Sequence, residues 1–294
     1  MQDLVAFANL EAKQQSLYEQ LRNAGRLMVA YSGGTDSAYL SYAAHRVLGD
    51  QMLAVIADSP SLSRAHLRDA VDFAESQGIP LRVIDTHELE REDYVRNDSS
   101  RCFHCKDELF NVMARAGEPL QFSNVAYGMN ADDRGDFRPG QRAAANHHVL
   151  APLARAGLTK EEIRTLARRE GLRVWDKPAS ACLSSRIAYG LPVTRETLDT
   201  IEKGEELLYA MGFRQFRLRH HGELARIEIA REELAGMLSL AMFERASSAL
   251  KQLGYKYVTL DLDGYRSGSM NAVLPLVQIE FSTSASAAAS DGAQ

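Results

Sequence analysis

The stretch from Leu27 to Ser37, Leu-Met-Val-Ala-Tyr-Ser-Gly-Gly-Thr-Asp-Ser, joins an apolar run to a turn of small and hydroxyl residues. Gly33 and Gly34 carry no Cβ, so the backbone there can approach a ligand closely. The N–H groups of such a turn, and of a helix that follows it, point at one spot and make an anion site. Ser32, Thr35 and Ser37 add hydroxyls, and the Asp36 carboxylate can hold Mg²⁺. The chemistry this predicts is phosphate binding, without the Gly-Lys-Ser/Thr ending of a Walker loop. A plain strand-to-helix turn would use the same residue types.

Further polar groups follow other apolar runs. Asp58 closes the second run, where it can touch the sugar or base of a phosphate-bearing ligand, or serve as a turn or N-cap residue. Gly128, Asn130 and Asp133 stand in Gly-Met-Asn-Ala-Asp-Asp after a later run. An amide and a carboxylate there can meet a nucleotide and Mg²⁺, and an Asx turn needs the same types. Cys102 and Cys105 form Cys-x-x-Cys in Ser-Arg-Cys-Phe-His-Cys-Lys, and Cys182 lies far downstream in Lys-Pro-Ala-Ser-Ala-Cys-Leu-Ser-Ser-Arg. With a helix start and Lys106 beside them, the first two thiols are expected to titrate low and to stand as thiolates.

Four readings of the cysteines are open. They can hold three corners of a [4Fe–4S] cluster, leaving one iron for an outside ligand. They can form a Cys₃His zinc site, with His104, His147, His148, His220 or His221 supplying the nitrogen. Cys102 and Cys105 can be a redox dithiol with Cys182 a separate nucleophile, or all three can be unrelated buried thiols. The alternation in Phe216-Arg-Leu-Arg sets Arg217 and Arg219 on one strand face, able to clamp a phosphate or carboxylate. A solvated strand face has the same pattern. Glu205 reads equally as a plain surface acid, and Trp175 as packing.

The elements that must position these groups follow from periodicity. Leu4, Phe7, Leu10, Leu17 and Leu21 predict a lead-in helix over 4–24. Strands are expected at 27–31, 53–57, 81–84 and 124–127, alternating with helices at 36–48, 64–77 and 106–114. Such alternation implies right-handed βαβ units and a parallel sheet covered on both faces, with ligands beyond the strands' carboxyl ends. Residues 86–101 read as a polar loop, and 134–148, holding Gly, Pro and paired His, as a mobile loop over the site. Thr159-Lys-Glu-Glu opens a helix through a capping box, and Gly171 ends it. Beyond it a helix at 194–211, a hairpin at 213–219 and 224–229, one or two helices within 231–253 and a strand at 257–262 make an α+β pattern. The expected organisation is α/β: a Rossmann-like parallel sheet in a domain over 1–165, a smaller α+β domain over 166–281, and a disordered tail over 282–294.

The chain has 294 residues, 45% hydrophobic and 25% charged, with a formal net charge of −5. That charge argues against broad nucleic-acid binding. No apolar run approaches the roughly 18 residues of a membrane span. The start, Met1-Gln-Asp-Leu, lacks a secretory pattern. Cysteines without an export signal favour metal, cluster or redox chemistry over disulfides. A cytoplasmic protein without membrane or nucleic-acid partners is expected.

Together, the segments Ser32–Ser37, Tyr127–Asp133, Lys177–Arg186, Phe216–His220, Ala225–Glu228 and Gly264–Asn271 resemble the LarE family of ATP-dependent sulfur transferases, within the PP-loop ATP pyrophosphatase superfamily. The resemblance implies that ATP is split into AMP and PPi. Ser32, Gly33, Gly34, Thr35, Asp36, Ser37, Asp58, Gly128, Asn130 and Asp133 would bind the nucleotide, with Mg²⁺ on Asp36. It also implies adenylation of a pyridinium-3,5-dicarboxylate mononucleotide, then displacement of AMP by sulfur, in nickel-pincer cofactor synthesis. Some family members sacrifice one cysteine, which ends as dehydroalanine. Others hold a [4Fe–4S] cluster on three cysteines and donate an added sulfide, renewed by sulfide or another sulfur donor.

Cys102, Cys105 and Cys182 fit the second pattern, with zinc the lesser possibility; with Asp36 they are the expected catalytic set. Lys106, Ser185, Arg186, Glu205, Arg217 and Arg219 would bind the small-molecule substrate, and a homo-oligomer is implied. Nucleotide site and sulfurs are expected to converge in one cavity. The rivals are a PP-loop tRNA-thiolating enzyme, an amide-forming PP-loop synthetase and a non-enzymatic zinc module. The acidic charge speaks against the first and the three thiols against the second.

Overall fold

A computed structural model describes residues 2–134, 139–178, 181–266 and 270. The expected tail, and parts of the expected 134–148 loop and of the Gly264–Asn271 segment, lie outside them. The helical and strand elements follow in the order α1 (Gln2–Ala24), β1 (Leu27–Ala30), α2 (Thr35–Leu48), β2 (Met52–Asp58), α3 (Arg64–Ser76), β3 (Leu81–Asp85), α4 (Glu92–Val95), α5 (Arg101–Gly117) and β4 (Asn124–Tyr127). Then come α6 (Pro139–Asn146), α7 (Pro152–Arg155), α8 (Lys160–Arg169), α9 (Arg195–Ala210), β5 (Phe216–His221), β6 (Leu224–Ile229), α10 (Leu240–Gln252) and β7 (Tyr257–Leu260).

The first four strands form a parallel sheet in the order β3-β2-β1-β4. Alternation along each strand divides its side chains between two cores. Leu27, Val29, Ala54 and Ile56 pack with Leu17, Leu21, Tyr39, Leu40, Phe73, Ile163 and Leu166. Met28, Val55 and Ile84 face Phe110, Met113, Ala143 and Ala144 on the other side. Both faces are therefore covered, as the near-continuous apolar strands require. Leu172 and Val174 are still part of the first core.

A second, mixed sheet has the order β5-β6-β7, with β5 antiparallel and β7 parallel to β6. Its core gathers Leu208, Phe216, Leu218, Ile227, Ile229 and Leu250. A further cluster packs Leu183, Ile187, Val193, Leu198 and Ile201 against Tyr94 of α4, with Cys105 at the edge. This apolar cluster fixes the Cys182 segment onto the first half of the chain.

Three local expectations need correction. The helix expected over 106–114 begins at Arg101, because the Asp98 carboxylate accepts from Ser100 N–H (2.8 Å) and Oγ–H (2.6 Å) and turns the chain into it. The polar stretch 86–101 contains the short helix α4, whose Tyr94 is buried. In the expected mobile loop, residues 139–146 are helical; Gly140, Ala143 and Ala144 are small enough to lie buried against α5.

Candidate functional site

Beyond the carboxyl ends of β1 and β4 opens a cleft of 640 Å³. Ser32, Gly34, Thr35, Asp36 and Ser37 line one side, Gly128, Asn130, Asp132 and Asp133 the other, and Lys106, Lys160 and Lys177 add three ammonium groups. Gly33 takes φ +71°, and a Cβ there would lie 2.6 Å from the Ala70 Cβ. Gly128 is needed for approach: its Cβ would come within 2.8 Å of Ser37 N, where α2 begins. Ser37 Oγ donates to Gly34 O and accepts from Ser32 N–H, each at 3.1 Å, so the hydroxyl shapes the loop from inside.

Other segments brace this loop. Thr35 Oγ1 donates to Val174 O (2.8 Å), and Lys177 Nζ donates to Gly33 O (3.0 Å) while pairing with Asp69. Burial alone would raise the Asp69 carboxyl, but Lys177 holds it below its usual range. His66 Nε2 contacts Ser32 O at 2.9 Å, and burial, with Lys177 nearby, keeps that imidazole below its ordinary pKa.

Asp36 is held from both sides. Its Oδ1 lies 2.7 Å from Lys160 Nζ, and its Oδ2 accepts from Asn130 Nδ2 at 3.1 Å. Asn130 and Asp133 close a capping box on the turn at 131–133, and Asp132 accepts from Lys160 N–H at 2.8 Å. One carboxylate beside a phosphate cradle suits Mg²⁺, which takes few protein ligands and completes its shell with water and phosphate. Asp58 stands apart: it pairs with Arg64 and does not line the cleft.

The three cysteines lie within electrostatic reach of one another at a second place. Cys102 feels the charge of Cys182, and Cys105 feels that of both. Burial raises the Cys102 thiol, and Cys182 adds to the rise; Arg101 and Lys106 oppose it without prevailing. Cys102 keeps an exposed face. Burial, then Glu88 and the other two sulfurs, push Cys105 well up. The expected low-titrating thiolates are therefore corrected: desolvation outweighs Lys106 and the helix start. Three soft sulfur donors from two segments suit iron–sulfur or zinc chemistry. Among the described residues no three His, Cys, Asp or Glu side chains converge as ligands of a single metal ion. A cluster, by contrast, distributes its cysteines over separate irons.

The expected single cavity resolves into neighbouring places. No described thiol lines the 640 Å³ cleft, although Lys106, Lys177 and Pro178 from the same segments do. Of the expected substrate residues, Lys106 lines that cleft, whereas Ser185, Arg186, Glu205 and Arg219 gather around Cys182. Arg186 donates to Cys182 O (3.0 Å) and Ala181 O (2.7 Å) and pairs with Glu205 (3.0 Å). Ser185 Oγ donates to Cys182 O (2.7 Å), and Arg219 donates through Nη1 to Ser185 O (3.1 Å) and pairs through Nη2 with buried Glu228 at 2.7 Å. The Arg217 guanidinium lies 4.8 Å from the Tyr265 ring, lowered in pKa by burial and by Arg186. Sequence reading missed Lys160, Lys177, His66 and Arg101; only the Lys160 position carried a signal, at the first residue of a capped helix facing the site.

Residues 10–123 match the NAD synthase family. The chain is 37% identical over 265 residues to the uncharacterized protein slr1717 of Synechocystis sp., covering 90% of this chain and 99% of that one. It is 32% identical over 278 residues to the pyridinium-3,5-bisthiocarboxylic acid mononucleotide synthase of Lactiplantibacillus plantarum, covering 92% of this chain and 98% of the other. The chain belongs to the LarE family. A third relative, the uncharacterized protein MJ0830 of Methanocaldococcus jannaschii, is 28% identical over 266 residues, 90% of this chain and 100% of its own. The LarE assignment makes this chain an enzyme of the PP-loop ATP pyrophosphatase group, whose loop implies ATP with Mg²⁺. No helix among the described residues is long and apolar enough to cross a membrane.

Proposed function

We propose that this protein uses ATP to insert sulfur into a pyridinium-3,5-dicarboxylate mononucleotide, giving thiocarboxylates for a nickel-pincer cofactor. The observation that carries the reading is the position of the Cys182 segment. It begins at Lys177, which contacts the phosphate loop, and ends at Arg186, within the arginine group. The name of the Lactiplantibacillus relative supports the substrate.

In the first step a substrate carboxylate oxygen attacks the α-phosphorus of ATP, the α–β phosphoanhydride bond breaks, and PPi leaves. Loop N–H groups, Lys160 and Lys177 would stabilise the negative charge on the phosphates. Asp36, relieved of Lys160, would hold Mg²⁺. In the second step a sulfur nucleophile attacks the acyl carbon and AMP departs with the carboxyl oxygen. Arg217, Arg219 and Arg186 would hold the substrate's phosphate and second carboxylate, with Ser185, Glu205 and Lys106 completing the pocket.

Cys102, Cys105 and Cys182 would hold a [4Fe–4S] cluster. When bound, it would offer one iron without a protein ligand for an added sulfide. Anaerobic incubation of the purified protein with ATP, Mg²⁺, sulfide and the pyridinium substrate should release PPi and yield a thiocarboxylate by mass spectrometry. PPi release without sulfur incorporation would overturn the transfer reading. A protein lighter by one sulfur after a single turnover would replace the cluster route by sacrifice of Cys182.

A further inference from the structure

Arg101 opens the helix that carries Cys102 and Cys105, and it is 5% exposed. A guanidinium stays charged inside a protein, and its burial is costly unless opposite charge or hydrogen bonding compensates. Among the described residues Arg101 forms no ion pair with a carboxylate. Its Nη1 donates to Asn97 Oδ1 and, at 2.8 Å, to Ser184 O, both neutral acceptors. Its guanidinium lies 5.8 Å from the Tyr189 ring centroid, and the groups whose charge it senses are Cys182, Cys102, Tyr94 and Tyr189. Buried Glu88 acts on Cys105 rather than on Arg101, and it accepts a hydrogen bond from Ser59. A fixed positive charge thus sits among sulfurs and phenols.

The same side chain is a mechanical link. Ser184 lies just past Cys182, so Arg101 ties the helix of two thiols to the turn of the third. Asn97, buried at φ 57°, extends the tie: its Nδ2 donates to Ala188 O (2.9 Å) and Leu191 O (2.8 Å). A left-handed asparagine is uncommon and persists where its surroundings hold it.

We infer that Arg101 is a positioning residue that supplies the permanent positive charge balancing an anionic iron–sulfur centre held by Cys102, Cys105 and Cys182. This rests on the cluster reading above. Sulfur bound to iron is anionic, and a balancing cation already in place favours both retention of the centre and its more negative, reduced state.

The test reconstitutes wild type, Arg101→Met, Arg101→Lys and Asn97→Ala with iron and sulfide under anaerobic conditions. Iron content after desalting and the midpoint potential by electron paramagnetic resonance are read, with circular dichroism to verify folding. Arg101→Met should lose most of its iron, and what remains should be reduced about tenfold less readily, a fall of about 59 mV for one electron. Arg101→Lys keeps the charge and should hold the wild-type potential. Asn97→Ala loses only the neutral tie and should retain less iron without a shift in potential. An Arg101→Met protein that loads and titrates like wild type overturns the inference. So does an Arg101→Lys protein whose midpoint potential falls by about 59 mV from wild type, a criterion that needs no Arg101→Met protein and so stands even if that variant does not fold. A wild type that takes up no iron overturns the cluster reading, and the inference falls with it.

Discussion

Asp36 gives both carboxylate oxygens to protein partners, Lys160 at 2.7 Å and Asn130 at 3.1 Å. Loading Mg²⁺·ATP would exchange that ammonium for the metal and free Lys160 for the phosphates. Asp36→Ala should therefore cut PPi release by about 10²-fold or more, the scale seen when one group aimed at developing charge is removed. A PPi assay at saturating ATP checks this. Arg217→Ala should raise the KM for the pyridinium substrate roughly 10–150-fold, as for loss of a charge-assisted hydrogen bond, with ATP affinity unchanged. Unchanged substrate kinetics would remove Arg217 from the pocket.

At the scale of elements, α8 carries Lys160 as its first residue, and its N-terminus is fixed by the Thr159–Glu162 capping box. Thr159→Ala should cost about 1 kcal/mol of stability and also weaken ATP binding, measurable together by thermal melting and titration calorimetry. Gly128→Ala should abolish ATP binding, because the new Cβ would strike the start of α2 at Ser37 N. The capping box, the parallel sheet and the glycine-rich turn were legible in sequence because each is a local pattern with a fixed spacing. The start of α5 was not, although Asp98 two residues before Ser100 was the clue, and α6 was hidden because Gly, Pro and His mask a helix that burial sustains. Lys177, His66 and Arg101 escaped for a different reason. A charged residue's role depends on partners such as Gly33 O, Ser32 O and Ser184 O that only tertiary folding brings near. The thiols were misjudged on the same ground, since desolvation is a property of the packed state.

Across the whole molecule, half-buried histidines make stability depend on pH. Burial lowers His66, His220 and His221 from their ordinary values. The unfolded chain, with imidazoles near about 6.5, then binds more protons than the folded one as pH falls. Their contribution is complete above that value and is lost as pH drops toward the folded values. Asp69 and Glu162, whose pKa values lie below the ordinary carboxylate range, add a further loss only in stronger acid. Melting temperature should therefore be level from pH 8 to about 6.5 and decline by pH 5; a curve flat to pH 5 would refute this.

The hydrogen bonds from Thr35 to Val174 and from Lys177 to Gly33 also say something about how the protein is made. A ribosome delivers the loop early and its two braces only after some 140 more residues, so a nascent chain halted near residue 165 has the ATP grip in outline but without its clasp. Nucleotide capture during synthesis should begin only when the segment that bears the last sulfur has emerged.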